Sequence, residues 1–397
     1  MIKTLPPLAN RMERILPFQA MELVKQAEML ESQGRSVIKM SIGEPDFTAP
    51  PAVVEALIQA AQAGKTGYTQ ALGLRPLREA IARYYKTAYG VDVSPERVVV
   101  TSGASGALTL AACALINAGD KVLLSDPTYP CNSQYINAFE GVPTLIPVGP
   151  DTRFQLTADL IAAHWTEEVK GTLIASPANP TGTSIPFDEL GKIIEFVRSR
   201  GGFTIVDEIY LGLSYDHPAR SALEYGDDII VTNSFSKFFN MTGWRLGWLI
   251  VPPDFLPTFE KLIQHLFICP SALAQYGALA CFAPETMALY EERKNELRTR
   301  RDYIVPALKA LGFGIPADPD GAFYVYLDCS AFSNDSTQFA QQMLQEIGVA
   351  MTPGLDFGTA GPERYLRLSY ATDLEQLREA VERMRVWLPT QRLGQAS

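Results

Sequence analysis

A single lysine stands in a long window of apolar and small residues. Lys237 is the one charged residue between Ile229 and Trp244, and three phenylalanines lie within two positions of it. A buried amine without an acidic partner has a lowered pKa, so its neutral, nucleophilic form is accessible near neutral pH. Schiff-base formation requires that form of the amine. The structural alternative is a lysine whose ammonium group extends past the phenylalanines into water.

Two further charged side chains are associated with strand-like segments. Asp207 directly follows Phe203–Val206, so its carboxylate is expected at the carboxyl edge of a sheet, where it could bind a metal, act as a base or pair with a protonated ring nitrogen. Arg367 alternates with apolar residues in Tyr365–Ser369, and its planar guanidinium suits a carboxylate. A cap or ion pair is the structural alternative for Asp207, and an edge-strand ion pair for Arg367.

Two loops of small residues also follow predicted strands. Ser102–Gly106 (SGASG) would let backbone N–H groups approach an anion at a helix N-terminus. Ser176–Gly182 (SPANPTG) contains two prolines that would hold Asn179 as a rigidly aimed donor. An ordinary capped β–α turn and an Asx-turn are the corresponding structural alternatives.

These residues need elements that bring strand ends together. From about residue 97, short β-branched runs alternate with helical patterns. Strands are predicted at Arg97–Thr101, Lys121–Ser125, Gly171–Ser176, Phe203–Val206, Ile229–Thr232 and Leu246–Val251, and helices at Gly106–Asn117 and Phe187–Arg200. Apolar strands separated by helices predict an α/β fold with a mostly parallel sheet covered by helices on both faces. Ligands bind such sheets at the carboxyl ends of the strands.

The pattern changes after about residue 285 and predicts a smaller α+β domain. Its elements are a helix at Glu291–Leu311, a strand at Ala322–Asp328, a helix at Gln338–Glu346, a strand at Tyr365–Ser369 and a helix at Leu374–Trp387. A helix at Ala20–Gln33 is expected to pack with them. We assign residues 1–15 to an N-terminal arm, residues 16–45 and 286–397 to the small domain, and residues 46–285 to a large domain that contains the predicted parallel sheet and the ligand-binding strand ends.

Composition and charge argue against several classes of function. The net charge is -10, and no block of Lys and Arg is present, so a nucleic-acid partner is not expected. The five cysteines form no Cys-x-x-Cys pair and only three histidines occur, so we expect no metal site and reduced thiols in a cytoplasmic protein. No signal peptide and no membrane span are predicted, because apolar stretches such as Leu108–Ile116 are too short.

Taken together and in this order, the motifs resemble the class I/II aminotransferases of the aspartate aminotransferase type, which are fold-type I pyridoxal-phosphate enzymes. The resemblance runs from Ser41–Phe47 (SIGEPDF) to the last strand and is most specific at Ser234–Lys237 and Gly243–Gly247. It implies a cytoplasmic homodimer that moves an amino group from an L-amino acid to a 2-oxo acid by a ping-pong mechanism. It also implies active sites shared between the two subunits.

The resemblance implies a role for individual residues. Lys237 would hold pyridoxal 5'-phosphate covalently and later move a proton at the substrate Cα, and Asp207 would keep the ring nitrogen protonated. Asn179 and Tyr210 would hydrogen-bond the ring hydroxyl oxygen, and Tyr129 would stack on the ring. The phosphate would be held by Gly103, Ala104, Ser105, Ser234, Ser236 and Arg245, with Tyr68 from the neighbouring subunit. Arg367, Asn179 and the backbone at Gly43 would hold the substrate α-carboxylate.

The nature of the substrate and two alternative functions stay open at this point. Some prokaryotic aspartate aminotransferases carry a basic residue near the position of Ser105 that helps hold an acidic side chain; serine leaves a dicarboxylic substrate in doubt. A pyridoxal-phosphate-dependent carbon–sulfur β-lyase would use the same lysine. A cofactor-sensing regulator would need a DNA-binding domain, for which we expect no room before Ser41.

Overall fold

The computed structural model describes residues 6–17 and 20–391, so residues 1–5 of the predicted arm and residues 392–397 of the predicted small domain lie outside the described residues. The strands are β1 (Ile38–Lys39), β2 (Val98–Thr101), β3 (Lys121–Asp126), β4 (Val142–Pro147), β5 (Val169–Ala175), β6 (Phe203–Asp207), β7 (Ile230–Ser234), β8 (Gly247–Ile250), β9 (Tyr324–Asp328), β10 (Val349–Ala350), β11 (Thr352–Pro353) and β12 (Tyr365–Ser369). The α-helices are α1 (Ala20–Ser32), α2 (Pro51–Gln62), α3 (Arg75–Tyr89), α4 (Gly103–Leu115), α5 (Pro130–Ala138), α6 (Ala158–His164), α7 (Phe187–Ser199), α8 (Leu256–Leu266), α9 (Ala272–Ala278), α10 (Pro284–Leu311), α11 (Ser336–Ile347) and α12 (Leu374–Trp387).

A seven-stranded sheet has the strand order β2-β8-β7-β6-β5-β3-β4. The strands from β7 to β4 in that order are parallel, which confirms the prediction of a mostly parallel sheet. The strand predicted at Leu246–Val251 is β8, and it runs antiparallel to both of its neighbours. The segment between β7 and β8 contains no α-helix, so the chain turns back beside β7 instead of crossing over.

Side chains alternate between the two faces of this sheet and fill a core on each. Along β2, Val98 and Val100 pack into one core with residues of α3 and α7, and Val99 packs into the other with residues of α4 and α8. This period of two is that of a pleated strand with both faces buried. The helices that cover the sheet follow the predicted apolar stripe, which in α7 buries Leu190, Ile193, Ile194 and Val197.

The C-terminal part of the chain forms a second, three-stranded antiparallel sheet in the order β11-β12-β9. Helix α1 packs there, since Leu23, Ala27 and Leu30 form one cluster with Leu344 and Ala350. Strand β1 pairs with β10 next to this cluster. Helix α1 and strand β1 therefore lie with the C-terminal part, as predicted, whereas Arg14 and Leu16 hydrogen-bond to Asn137 and Gln134 of α5; the domain boundaries themselves stay a prediction.

Some elements differ from those that the sequence predicts. Helix α4 begins at Gly103, three residues before the predicted start, so SGASG forms its first turn. Strand β4 was not predicted; it contains Pro143 and Pro147 and lies at the edge of the sheet, where proline is tolerated. Within the described ranges, no helix is both long and apolar enough to cross a membrane.

Candidate active site

A cleft of about 310 Å³ opens at the carboxyl ends of β5, β6 and β7. This volume lies in the range of small-molecule sites. Residues of both sheets line it, because β9 and β12 contribute Tyr324 and Arg367. The residues predicted from the sequence that line the cleft are Gly43, Ala104, Ser105, Tyr129, Asn179, Asp207, Tyr210, Ser234, Ser236, Lys237, Arg245 and Arg367.

The side chain of Lys237 turns into this cleft from the loop after β7. Its Nζ donates a hydrogen bond to the carbonyl oxygen of Gly43 and lies 5.9 Å from the ring centroid of Tyr210. Burial lowers the pKa of Lys237 to about 8, against the opposing charge of Glu44 and with the help of the positive charge of Arg367. The alternative of an ammonium group in open water is therefore wrong, and part of the amine population is neutral near neutral pH.

Asp207 ends β6, and its carboxylate lies at the floor of the cleft. Oδ1 accepts hydrogen bonds from Thr232 Oγ1 at 2.9 Å and from the backbone N–H of Ile209 at 3.2 Å. Burial raises the pKa of Asp207 to about 6, although both bonds and the nearby Lys237 favour the ionised form. A carboxylate held in this way has its remaining oxygen available for a protonated partner in the cleft.

The next residue along the chain, Glu208, faces the opposite way. Its carboxyl group accepts hydrogen bonds from the hydroxyl of Ser221 and the backbone N–H of Ala222, and it is buried in the core. Burial raises the pKa of Glu208 to about 8. Of the two adjacent acids, only Asp207 therefore belongs to the cleft, as expected for alternate residues of a strand.

Arg367 lies on β12, the middle strand of the three-stranded sheet, and is buried. Its guanidinium donates to Asn179 Oδ1 at 3.0 Å, to the carbonyl oxygen of Ser41 at 2.6 Å and to Thr352 Oγ1 at 3.2 Å. None of the ion pairs found among the described residues includes Arg367. The alternative of an edge-strand ion pair is therefore wrong.

The positive charge of Arg367 is enclosed by aromatic rings. The ring centroids of Tyr324 and Phe357 lie 4.7 Å and 4.9 Å from the guanidinium carbon. Nε of Arg367 and Oγ of Ser41 are buried and have no hydrogen-bond partner among the described atoms. A buried cation with an unused donor is costly, so this end of the cleft is suited to an anionic ligand.

A second group of donors lies at the N-terminus of α4. Gly103 has a φ of 73°, and a Cβ at this position would lie 2.6 Å from Nη2 of Arg245. A Cβ on Gly247 would lie 2.7 Å from the carbonyl carbon of Gly103, so both glycines are needed for the close approach of these segments. The buried hydroxyls of Ser234 and Ser236 lie 2.9 Å apart beside them. The helix N-terminus, the hydroxyls and the guanidinium are donors that fit a phosphate group.

Two tyrosines of the cleft were not identified from the sequence. Tyr324 Oη lies 2.8 Å from Tyr210 Oη, and a Cβ on Gly43 would lie 2.8 Å from Tyr324 Oη. Tyr135 on α5 lines the cleft, as Ser105 does. The only sequence signal for Tyr324 was its place in a predicted strand, because the pairing of β9 with β12 decides that it meets Arg367.

Tyr68 was predicted to contact the cofactor phosphate, but within one chain it lies outside the cleft. It lies in the segment between α2 and α3, does not line the cleft and is 82% exposed. Ser105 and Arg245, at the donor-rich end of the cleft, are also exposed. Within a single chain, Tyr68 thus completes no site.

Known proteins resemble this chain over nearly its whole length. The family model described as aminotransferase class I and II matches residues 35–384. Valine–pyruvate aminotransferase of Mycobacterium tuberculosis is 38% identical over 94% of this chain and 97% of its own length, and an aspartate aminotransferase of Thermotoga maritima is 33% identical over 96% and 99%. A crystal structure of an aminotransferase from Mycobacterium tuberculosis has a TM-score of 0.94 at 37% identity and covers 98% of this chain and 100% of its own. The structure of Thermus thermophilus aspartate aminotransferase with maleate has a TM-score of 0.91 at 30% identity, with 96% and 100% covered.

Proposed function

Because the chain belongs to the class I and II aminotransferase family and is an aminotransferase, we propose that it works with pyridoxal 5'-phosphate held covalently by Lys237. The observation that carries this proposal is the position of Lys237 in the cleft, where burial lowers the pKa of its amine to about 8. The amine lies in the same cleft as a buried carboxylate, Asp207, and the donors at the N-terminus of α4.

The residues of the cleft divide into groups that would bind different parts of the cofactor. The donors at the N-terminus of α4, with Ser234, Ser236 and Arg245, would hold the phosphate. Asp207 would accept a hydrogen bond from the ring nitrogen on Oδ2, since Thr232 and Ile209 both donate to Oδ1. The cofactor supplies an electron-withdrawing ring that stabilises negative charge at the substrate Cα.

Two tyrosines and an asparagine would orient the ring. Tyr210 and Asn179 would donate to the ring hydroxyl oxygen, and Tyr129, at the start of α5, would stack on the ring. Tyr324 holds the hydroxyl of Tyr210 at 2.8 Å, and Arg367 donates to the side-chain oxygen of Asn179. Both orienting groups are therefore fixed before a ligand binds.

Lys237 and Arg367 would act on the amino acid. Arg367 would bind the α-carboxylate, because it has a buried charge and an unused Nε. Substrate binding would release the amine of Lys237 from the cofactor. The free amine would then take the proton from Cα and deliver it to the cofactor carbon. The same groups serve the 2-oxo acid in the second half-reaction, which gives ping-pong kinetics.

The alternatives that the sequence left open gain no support from the relatives. Those relatives are named as aminotransferases, not as carbon–sulfur lyases or regulators. We further propose that the enzyme acts in the cytoplasm, in keeping with its five free cysteines.

Covalent labelling tests the proposal at Lys237. The purified protein should be yellow, and borohydride should remove the colour and leave a pyridoxyl group on one peptide. Peptide mapping is expected to find that group on Lys237 alone. A stable pyridoxyl group on another lysine, or no retained group in a yellow protein, would refute the assignment.

We also propose a homodimer in which Tyr68 of one subunit reaches the phosphate of the other. Its 82% exposure in the single chain leaves its hydroxyl available for such a contact. Mixed dimers of Tyr68→Ala and Lys237→Ala chains test this. They contain one site with Lys237 from the first chain and Tyr68 from the second, so cofactor affinity at that site should recover to the parent value. Affinity that stays at the Tyr68→Ala value in verified heterodimers would contradict the shared site.

A further inference from the structure

The positive groups of the cleft bear on the class of substrate. Three cationic side chains line it, namely Lys237, Arg245 and Arg367. Under the proposed function, on which this inference rests, each already has a partner: the cofactor carbonyl for Lys237, the phosphate for Arg245 and the α-carboxylate for Arg367. No further cation among the described lining residues is available for a second carboxylate of an amino acid.

Two apolar side chains that line the cleft, those of Ile42 and Val24, have no role in the proposed function. Ile42 stands between Ser41, whose carbonyl oxygen accepts from Arg367, and Gly43, whose carbonyl oxygen accepts from Lys237. The backbone at Ile42 is therefore held between the residues that contact the amine and the guanidinium, and the residue itself lines the cleft. Val24 of α1 lines the same cleft.

An acidic side chain also lines the cleft, at the position that follows Gly43 in the chain. Glu44 lines the cleft, is exposed, and raises the pKa of Lys237 by its charge. A substrate carboxylate placed here would meet a like charge and would lose its hydration against Ile42 and Val24. A methyl group at the same place would instead leave water for an apolar surface, which makes the binding free energy more favourable.

We propose that this aminotransferase selects amino acids with uncharged, apolar side chains, and that Val24 and Ile42 are the residues that determine this specificity. Leucine and aspartate make the sharpest comparison, because their side chains have nearly the same shape and differ in charge. The reaction at Cα is the same for leucine and aspartate. The preference therefore comes from the cost of removing water from the substrate side chain, which is high for a carboxylate and absent for an isobutyl group.

The test measures the first half-reaction alone. The parent enzyme, loaded with pyridoxal phosphate, is mixed with L-leucine or L-aspartate, and kcat/KM is obtained from the absorbance change of the cofactor. We expect leucine to be favoured by about 100-fold. Calorimetry with the unreactive analogues 4-methylpentanoate and succinate gives a second readout, and the first should bind more tightly. Equal or better reaction of aspartate would overturn the proposal and would indicate a cation from a partner subunit.

Substitutions of Val24 and Ile42 test whether these two residues cause the preference for leucine over aspartate. Val24→Arg should lower the ratio of kcat/KM for leucine over aspartate by about 10-fold or more, because it adds a cation beside the side chain. Ile42→Lys is the second variant, and Val386→Arg, at a position that is 78% exposed on α12, is the matched control with an unchanged ratio. The ratio does not depend on the active fraction of each preparation.

Two outcomes separate this inference from the function on which it rests. Folded Val24→Arg and Ile42→Lys enzymes that both keep the parent ratio would overturn the assignment to these residues. If instead the loaded parent enzyme reacts with no amino acid at all, the proposed function fails, since the cofactor then has no amino donor.

Discussion

Two groups of charged side chains lie on opposite sides of the carboxyl ends of β5 and β6, and they differ in how charge is balanced. In the candidate active site, Lys237 and Arg367 donate to neutral oxygens of the backbone, an amide and a hydroxyl. A second cavity lies behind the same strand ends and is lined by Ser176, Val206 and Asp320, among others. There, Asp320 forms an ion pair with Arg153 at 2.8 Å and a longer one, at 3.7 Å, with His217 when its imidazole is protonated. The first group carries unbalanced positive charge in the interior, and the second is neutralised within the chain.

This difference separates binding from stability. Burial of a cation without an acid costs free energy in the unliganded protein, and an anionic ligand removes that cost when it binds. Around Asp320, burial favours the protonated form, but the imidazole of His217 at 3.7 Å, a hydrogen bond from Ser184 and the charge of Arg153 hold its pKa below the usual value. We therefore expect changes in the cleft to affect catalysis, and changes around Asp320 to affect the free energy of unfolding.

The largest effect is expected for Asp207→Asn. The amide can still accept the two hydrogen bonds on its oxygen, but it no longer favours a protonated ring nitrogen. Cofactor should still bind, while kcat should fall by about 100- to 1000-fold. Stopped-flow measurement of proton abstraction with deuterated substrate checks this, and near-normal turnover would remove the proposed role of Asp207.

A smaller loss is expected for Arg367→Lys. Lysine keeps the charge but cannot donate two parallel hydrogen bonds to a carboxylate, so kcat/KM for amino acids should fall by about 10- to 100-fold. Cofactor affinity should stay within about 2-fold of the parent, because Arg367 would act on the cofactor only indirectly, through its hydrogen bond to Asn179. A parent enzyme that used an amino acid and its decarboxylated amine equally well would disprove the assignment.

The opposite pattern is expected for Asp320→Asn. The amide replaces a charged acceptor of Ser184 and Arg153, so the free energy of unfolding at neutral pH should fall by about 1–3 kcal/mol. The kcat/KM for an amino acid should change by less than about 3-fold, because Asp320 does not line the cleft. Asp254→Asn, at an exposed position, is the control. Loss of activity without loss of stability would contradict the view that Asp320 stabilises the fold and takes no part in catalysis.

The smallest effect is expected for His217→Gln and depends on pH. The carboxylate of Asp320, 3.7 Å from Nε2, raises the pKa of His217 above its value of 6.5 in the unfolded chain, against the effect of burial. The stabilisation is therefore fully present below the unfolded-state pKa of 6.5, and it is lost as pH rises through the higher, folded-state pKa. Since the imidazole is 41% exposed, the variant should lose less than about 1 kcal/mol near pH 5.5 and nothing near pH 9. Thermal melts at both values check this, and an equal loss at both would contradict it.

The sequence alone predicted the type of fold and most of the candidate site. The apolar periods of two and 3.6 are local, so strands such as β6 and helices such as α7 were predicted within a few residues. Lys237, Asp207 and the SGASG turn were visible because residues of their type are costly or unusual at the ends of buried strands. The edge strand β4 was hidden by its prolines, and the reversed direction of β8 leaves no mark in its own composition.

Only the tertiary structure decided which of these residues meet. Tyr324 and Arg367 belong to different strands, and only the pairing of β9 with β12 places an aromatic ring against the guanidinium. The position of Ile42 between two backbone acceptors depends on contacts that span 194 and 326 positions of the chain. Local sequence determines which face of an element is apolar, because that depends on its own periodicity. Contacts across hundreds of residues depend on how the whole chain packs, and no local pattern contains that information.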